Sequence, residues 1–361
     1  MRKALQLWLV FGVVCPQILI AQEANSGVDL RATLSGMFAA SNVLTEAPRS
    51  GAPATAGFRS VIYPTWKIDG NWTVTGAWQF STRPYFYEDF STAGYGANGS
   101  LLQASLNYSR ISEKGSILIR AGQLETVFGA FPLFYDDMDN ALLDLPIEYG
   151  YYGSPVSLYG IAGAQIDATR GKWDGRAQFA NSSPANPRSL FGHGQYGNWA
   201  GGGGYTIRQG LRVGVSGYRG PYLYRQSWYF PWGEESPSKL PASALGVDGR
   251  WAYGHWTVQG EWQGFVFPYT VIPTYREKAG YAELKKVLNP RWYVAARDGE
   301  SRSKASGNAQ CFEGAAGFRP GRFELVKVSY ELEHYSTGTV RNENTFAIQF
   351  VTSFHVAKAW P

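Results

Sequence analysis

The segment 71–83 alternates between large apolar and small polar side chains, and this alternation constrains the fold more than any other feature. The apolar parity consists of Trp72, Val74, Gly76, Trp78 and Phe80, and the other parity consists of Thr73, Thr75, Ala77, Gln79 and Ser81. Because a β-strand points successive side chains to opposite faces, the segment predicts a strand with one apolar and one polar face. The apolar face lies either in the core of a soluble sheet or against lipid on a membrane barrel, whose polar face lines a wet interior.

The same alternation recurs along the chain and predicts about sixteen strands, separated by clusters of Gly, Pro, Asn, Asp and Ser. The Asp69-Gly70 turn between two such runs is a strong hairpin signal. Short links alternate with long polar ones: the short links are 69–71, 113–115, 208–210 and 289–290, and the long ones are 41–57, 84–100, 220–243 and 267–277. Short turns on one rim and long loops on the other are typical of a bacterial outer-membrane barrel.

Two further patterns favour the membrane barrel over a secreted β-sandwich, β-propeller or carbohydrate-binding module. The polar parity repeatedly carries charge. In one of the strands the apolar parity is Leu102, Ala104, Leu106 and Tyr108. Tryptophans gather near the short turns, at positions Trp66, Trp72, Trp173, Trp251, Trp256 and Trp292. Amphipathic rings concentrate at membrane interfaces, so this distribution predicts an aromatic girdle at one rim.

The N-terminus has the layout of a secretory signal. Arg2 and Lys3 precede an apolar run over 4–20, and polar residues follow Ala21. We therefore expect residues 1–21 to be a signal peptide and 22–361 to form a single barrel domain. Removing the signal would leave Cys311 as the lone cysteine, without a disulfide, and would lower the formal net charge from +5 to +3, which is too mild to favour nucleic acid as a partner.

The alternation breaks between Gln123 and Ser157, which predicts a long loop. Its acids are Glu125, Asp136, Asp137, Asp139, Asp144 and Glu148, and it contains no Lys or Arg. Its apolar residues include Phe128, Phe131, Leu133, Phe134, Leu142, Leu143, Leu145 and Ile147. Such residues would pack the loop against the inner barrel wall and leave its carboxylates in the lumen, as a constriction loop of about residues 123–157.

Basic residues on the polar parity of the strands form the predicted facing wall. They are Arg31, Arg59, Arg120, Arg176, Arg212, Arg250, Arg297, Arg319 and Lys327. Acids on the loop opposite bases on the wall would set a transverse field that selects solutes by charge and dipole. The alternative is that these side chains are simply solvated and keep the interior wet.

Cofactor and enzyme signatures are not apparent in the sequence. The run Asp136-Asp137-Met138-Asp139 resembles a calcium-binding cluster but lacks the Gly and terminal Glu of an EF-hand loop, so we expect no cofactor, with structural Ca²⁺ as the alternative. None of the four histidines lies at metal-ligand spacing, and the run Gly201–Gly204 lacks the Lys-Ser or Lys-Thr of a phosphate loop. Close packing within a curved strand is the expected role of these glycines.

Three segments resemble Gram-negative outer-membrane porins, most specifically the phosphate-selective type (porins O and P). They are Arg120-Ala-Gly-Gln-Leu-Glu-Thr-Val-Phe-Gly129, the stretch 317–334, and the closing stretch 346–355. The resemblance implies a sixteen-stranded barrel, often a homotrimer, with a loop near the fifth strand folded inward. Two departures stand out: the chain ends Ala359-Trp360-Pro361 rather than on an aromatic residue, and its constriction loop is acidic rather than lined by arginines.

Together these patterns predict an all-β, transmembrane antiparallel β-barrel of about 16 strands with an inward-folded constriction loop. The predicted function is a passive diffusion pore for small hydrophilic solutes or ions in the outer membrane of a Gram-negative bacterium. Its partners would be outer-membrane lipid, the solutes and, by resemblance, two further copies of the chain. The alternative is a secreted β-rich module that binds glycan or another surface through aromatic loops such as 222–232.

Overall fold

A computed structural model of the chain describes residues 26–42, 44, 54–83, 85, 96–131, 136–149, 160–181, 197–221, 240–305, 307–337 and 342–359. These residues include sixteen β-strands and the short 3₁₀ helix Ile147–Tyr149. The strands are β1 Gly27–Ser41, β2 Ala54–Lys67, β3 Trp72–Arg83, β4 Gly96–Ser112, β5 Gly115–Leu124, β6 Ile161–Arg170, β7 Trp173–Asn181, β8 Gly197–Arg208, β9 Leu211–Pro221, β10 Pro241–Tyr253, β11 Trp256–Phe267, β12 Tyr275–Asn289, β13 Trp292–Ser303, β14 Gly307–Phe318, β15 Glu324–Tyr335 and β16 Asn342–Ala359.

The strands close into a single barrel, in which each strand pairs with its sequence neighbours. The seam is the antiparallel ladder between β1 and β16, which runs from the pair Gly27 and Ala359 to the pair Ser41 and Thr345. Closure leaves no strand edge with unpaired backbone groups, which a membrane-spanning sheet requires. The predicted all-β barrel of about sixteen strands is confirmed.

The outer surface of the barrel is apolar. Along β1, Leu34 and Phe38 are exposed while the intervening Ser35 and Met37 are buried, and the same alternation continues around the wall. Trp173 at the start of β7 is 65% exposed. An apolar band of this extent needs an apolar environment, which the hydrocarbon of a bilayer supplies. Among the described residues, no helix combines the length and apolarity needed to cross a membrane.

The two rims differ in their connections, as the sequence predicts. On one rim short turns join β2 to β3 and every second pair thereafter; at the first, the Asp69 carboxylate accepts hydrogen bonds from the backbone N–H groups of Asn71 (2.7 Å) and Trp72 (2.8 Å). The other rim carries most of the long connections, including the one from β5 to β6. Trp66, Trp72 and Trp292 are exposed beside the short turns.

One predicted lipid-facing residue lies inside instead. Leu102 is 1% exposed and packs with Val61, Tyr63 and Ala77 within the barrel. The cause is a register shift between β3 and β4 at Ala77, which inserts an extra residue and reverses the parity of the β4 strand before Gln103. Sequence alternation carries no signal for such a bulge.

The inner wall of β8–β10 is built around Arg212, which binds Asp174 (2.6 Å) and Asp248 (2.7 Å) on either side. Gly204, on the neighbouring strand β8, lies next to the guanidinium of Arg212, and a β-carbon at Gly204 would collide with that group. This close approach is the packing role expected of the 201–204 glycines. The predicted signal peptide, the aromatic loop 222–232 and Trp360 lie outside the described residues.

Candidate functional site inside the barrel

The connection between β5 and β6 runs inside the barrel rather than over its rim. Its described parts, 125–131 and 136–149, contact side chains from β1, β2, β11, β13, β14 and β15. Strands so far apart around the barrel can be reached together only from the lumen. We refer to residues 125–149 as the constriction loop.

The apolar residues of the loop pack against buried patches on the inner wall. Phe128 lies edge-on to Tyr218 (6.4 Å between ring centroids) and to Phe265 (6.0 Å). Leu142, which has no exposed surface, packs in a cluster with Tyr293 and Leu325. Further along, Leu143 packs with Met37, Ala39 and Tyr85, and Ile147 packs with Ala309 and Cys311. Burial of these residues stabilises the loop on the wall.

Lys327 on β15 holds the centre of the loop. Its ammonium, which has no exposed surface, donates hydrogen bonds to the backbone carbonyls of Asp137 (2.9 Å), Asn140 (3.2 Å) and Leu142 (3.0 Å). An ammonium has three protons, so each is used by a loop carbonyl. The loop backbone therefore gains partners that water would otherwise provide.

Two charged wall residues hold the next part of the loop. The Glu313 carboxylate accepts a hydrogen bond from the backbone N–H of Leu143 (2.9 Å). Arg297 donates through Nη1 to the carbonyl of Asp144 (2.9 Å) and through Nη2 to the Glu283 carboxylate (2.8 Å). Arg297 also lies 3.8 Å from Glu313, so these groups form one buried network.

Two of the loop acids are neutralised by wall arginines. Asp136 lies 3.7 Å from Arg31 and accepts a hydrogen bond from Thr33 (2.7 Å). Asp137 lies 3.3 Å from Arg59 and accepts hydrogen bonds from Ser35 (2.7 Å) and Tyr85 (3.0 Å). Burial alone would raise the pKa of Asp137, but the charges of Arg59 and Lys327 and the two hydrogen bonds outweigh it and lower the pKa below its usual value.

Glu261 on β11 holds the first turn of the loop. Its carboxylate accepts hydrogen bonds from the backbone N–H of Ala130 (2.9 Å) and from the hydroxyl of Tyr149 (2.6 Å). The preceding residue, Gly129, donates its N–H to Ser216 (3.2 Å) and accepts a hydrogen bond from Arg176. The two ends of the described loop are thus joined through one wall carboxylate.

The remaining predicted acids have different surroundings. Asp139 keeps an exposed surface, but the protein around it removes part of its hydration. This desolvation, followed by the negative charge of Asp136, raises the pKa of Asp139. Asp144 and Glu125 are half-buried, and their backbone carbonyls accept hydrogen bonds from Arg297 and Gln178. Glu148 is fully buried, and burial raises its pKa well above the usual value.

The predicted bases divide into those that touch the loop and those that do not. Arg31, Arg59, Arg176, Arg297, Arg319 and Lys327 contact it, Arg319 through the sulfur (3.2 Å) and carbonyl (3.3 Å) of Met138. Arg120 instead pairs with Asp167 (3.6 Å), and Arg212 pairs with Asp174 and Asp248. Within the described residues, Arg250 makes neither an ion pair nor a hydrogen bond. Acids and bases therefore meet directly at the wall more than they oppose each other across open water.

Sequence reasoning omitted several wall residues from the candidate site. Glu261, Glu283 and Glu313 hold the loop directly or through Arg297, and Lys285 points inward with its ammonium 4.5 Å from the ring centroid of Tyr293. Parity could have found Lys285, because it continues the inward series Tyr281, Glu283 on β12. The glutamates carried the right parity, but parity does not say which strand a loop will touch.

Asp136 and Asp137, the core of the calcium-like run, are directed to wall hydroxyls and guanidinium groups. Over the part of the chain that the structure describes, no three His, Cys, Asp or Glu side chains converge in a way that could hold a metal ion.

No protein-family model and no curated protein sequence matches the chain. Solved outer-membrane proteins do resemble its fold. The outer membrane channel DcaP of Acinetobacter baumannii aligns with a TM-score of 0.61 and 10% identity over 92% of this chain and 99% of DcaP. OmpT of Vibrio cholerae in its trimer form aligns at 0.60 and 11% identity, over 91% of this chain and 100% of OmpT. The anion-selective porin from Comamonas acidovorans aligns at 0.59 and 10% identity, over 91% of this chain and 100% of that porin.

At this level of identity the likeness establishes the fold, which is a sixteen-stranded barrel of the porin type. The narrower resemblance to phosphate-selective porins stays a prediction.

Proposed function

We propose that the protein is a passive diffusion pore for small hydrophilic solutes in the outer membrane of a Gram-negative bacterium. The observation that carries the proposal is the constriction loop, which is bonded to the inner wall from β1 around to β15 while the barrel closes about it. A loop that is fixed along the wall narrows the lumen but leaves it open. A separate plug domain would instead fill and close the lumen. The apolar outer wall supports a place in lipid.

Recording from planar bilayers tests this proposal. We expect purified, folded protein to insert and to give discrete, ohmic conductance steps in potassium chloride. Folding is checked independently by gel migration that changes on heating. Folded barrels that insert without any conductance step would refute the pore.

The charge distribution supports a preference for small anions. Lys285 and Arg250 make no ion pair with the described residues, although Arg297 and Arg59 are paired. Lys285 lies within electrostatic range of Arg250 and Arg319, and the loop offers Asp139 to this group. Glu283 also attracts Lys285 and Arg250, but it is bound by Arg297. The three cations therefore outnumber the acids left to face them, and this positive lining raises the local concentration of anions.

The solved relatives give two further points of support. One of them is described as an anion-selective porin and another was solved in a trimer form. We propose that this chain also assembles as a homotrimer. Chemical cross-linking in detergent, followed by gel analysis, tests this assembly. A single monomeric band under conditions that cross-link a known trimer would contradict the homotrimer.

The alternative of a soluble glycan-binding module is disfavoured by the outer wall. Leu245, Val215 and Phe350 stand exposed on different strands, with no second layer over them in the described structure. A soluble monomer that needs no detergent would restore that alternative.

A further inference from the structure

Glu148, in the 3₁₀ helix of the constriction loop, occupies a place that suits an uncharged acid. Its side chain is 0% exposed, and within the described residues neither carboxyl oxygen has a hydrogen-bond partner. An ionised carboxylate without donors costs several kcal/mol in such surroundings. In the seated loop Glu148 therefore carries its proton.

The neighbouring carboxyl shows why the proton resides on Glu148. Glu261 accepts hydrogen bonds from the Tyr149 hydroxyl (2.6 Å), the Ala130 N–H (2.9 Å) and the Gln263 amide (2.7 Å). Three hydrogen-bond donors stabilise the ionised form of Glu261. Around Glu148 only its own backbone N–H and the charge of Arg297 favour ionisation, and burial outweighs both. The negative charge of Glu261 further disfavours ionisation of Glu148.

Among the described residues, the other elements packed around the 3₁₀ helix provide no cation that is free to pair with Glu148. Tyr281 faces it from β12, and Arg297 faces it from β13. The guanidinium of Arg297 already binds Glu283 and the carbonyl of Asp144. Cys311 of β14 and Tyr335 of β15 lie against the adjacent Ile147.

We propose that this helix is a pH-responsive latch, which seats the constriction loop while Glu148 is protonated and releases it from the wall when Glu148 ionises. Because an ionised Glu148 can be solvated only by leaving its pocket, loss of the proton and release of the helix are one event. Its consequence for conductance rests on the proposed pore, but the movement itself does not.

The direction of the pH effect follows from linkage. Burial raises the pKa of Glu148 in the seated state, so the seated loop binds a proton that the released loop gives up. From the ordinary glutamate pKa up to the raised value, the ratio of released to seated loop rises about tenfold per pH unit. Above the raised pKa the ratio levels off.

The chain contains its own reporter of release. Cys311 is buried beneath Ile147, and it is the free cysteine among the described residues. Lifting the 3₁₀ helix would open this thiol to the lumen. Its rate of modification by a small, water-soluble maleimide therefore measures how often the latch is released.

The test compares wild type with Glu148→Gln in detergent over a series of pH values, and follows the Cys311 peptide by mass spectrometry. Dividing the wild-type rate by the Glu148→Gln rate at each pH cancels the increase in Cys311 thiolate that both proteins share. We expect a ratio near one in acid that grows to about tenfold or more as pH rises. Asp139→Asn, which removes an exposed loop acid, should behave as wild type.

Glu148→Leu provides a second variant, because it replaces the unpartnered carboxyl by an apolar group of similar size. It should protect Cys311 at every pH, as Glu148→Gln does in alkali. A ratio that stays at one throughout, or a Glu148→Leu protein modified as fast as wild type in alkali, would overturn the latch. Conductance steps seen alongside either result would leave the pore intact, whereas a pH-dependent ratio without conductance would retain the latch and reject the pore.

Discussion

At the scale of single residues, the lumen separates cations that hold structure from cations that face solutes. Lys327 and Arg59 are fully engaged with the constriction loop, and Arg297 is enclosed by two glutamates. Lys285 lies against the face of Tyr293 and makes no ion pair with the described residues, although Glu283 and Asp139 as well as Arg250 and Arg319 lie within electrostatic range. The first group determines where the loop lies, and the second determines which ions concentrate there.

Lys285→Gln should weaken the anion preference. In a salt gradient we expect the reversal potential to move toward the cation value, because one of the three cations of the lining is lost. Lys286→Gln is a matched control, since Lys286 is the next residue, on the other face of β12, with its ammonium 4.5 Å from the ring centroid of Trp256. Equal shifts in both variants would place Lys285 away from the ion path.

The residue scale is also where the sequence predicted least. The parity of Arg59 and Lys327 was correct, and so was the acidity of the loop. The contacts of these residues with the loop could not be predicted from the sequence. Lys327 and Asp137 lie 190 positions apart, and no local pattern encodes which lumen side chains meet. Glu148 looked like one more exposed loop acid, and only its packing shows otherwise.

At the scale of elements, the strands and the constriction loop follow different rules. A strand is specified by its own alternation, so the boundaries of β3 could be predicted to within a residue. Among the described residues of the loop, Ile147–Tyr149 is the regular element, and the rest takes its shape from the wall that holds it. Its stability is therefore that of its anchors, of which Lys327 and Glu313 carry the central part.

Lys327→Met should loosen the loop while leaving the barrel folded. Three backbone carbonyls would lose their donor, at a cost of about 1–3 kcal/mol for each one that stays buried. We expect a changed unit conductance with larger current noise in bilayer recordings, and faster proteolysis within the loop.

Lys172→Met removes an exposed turn lysine that bonds the carbonyl of Ile207, and serves as the control. Unchanged single-channel current in Lys327→Met would show that the loop does not depend on this anchor.

At the scale of the whole molecule, the fold is fixed by the number of strands and by their closure. The repeat of alternating segments predicted about sixteen strands, and the structure contains that number in one closed sheet. The register could not be predicted where bulges occur, as at Ala77 and between Val287 and Asn289. The separation of short turns and long loops between the two rims could be predicted, because the lengths of the links follow directly from the sequence.

The seam can be tested with a disulfide between β1 and β16. Ala39 and Ala347 are paired across the ladder and fully buried, so Ala39→Cys with Ala347→Cys on a Cys311→Ser background should cross-link upon oxidation. The cross-linked chain should migrate differently from its reduced form after boiling. The Ala39→Cys chain alone provides the control, and failure of the double variant to cross-link would mean that the barrel is open at this point.

The β1–β16 ladder also has a consequence for biogenesis. Asp29 and His355, which lie 326 positions apart in the sequence, bond across it, so closing the barrel joins the two ends of the chain. Closing a loop of that length carries a large entropic cost before any hydrogen bond repays it, and proteins rich in such distant contacts fold slowly. The barrel cannot be completed while its final strand is still being synthesised. Until then the strands from β2 to β15 must be kept from pairing with other chains. A chain of this design depends on being held unfolded and soluble until β16 arrives.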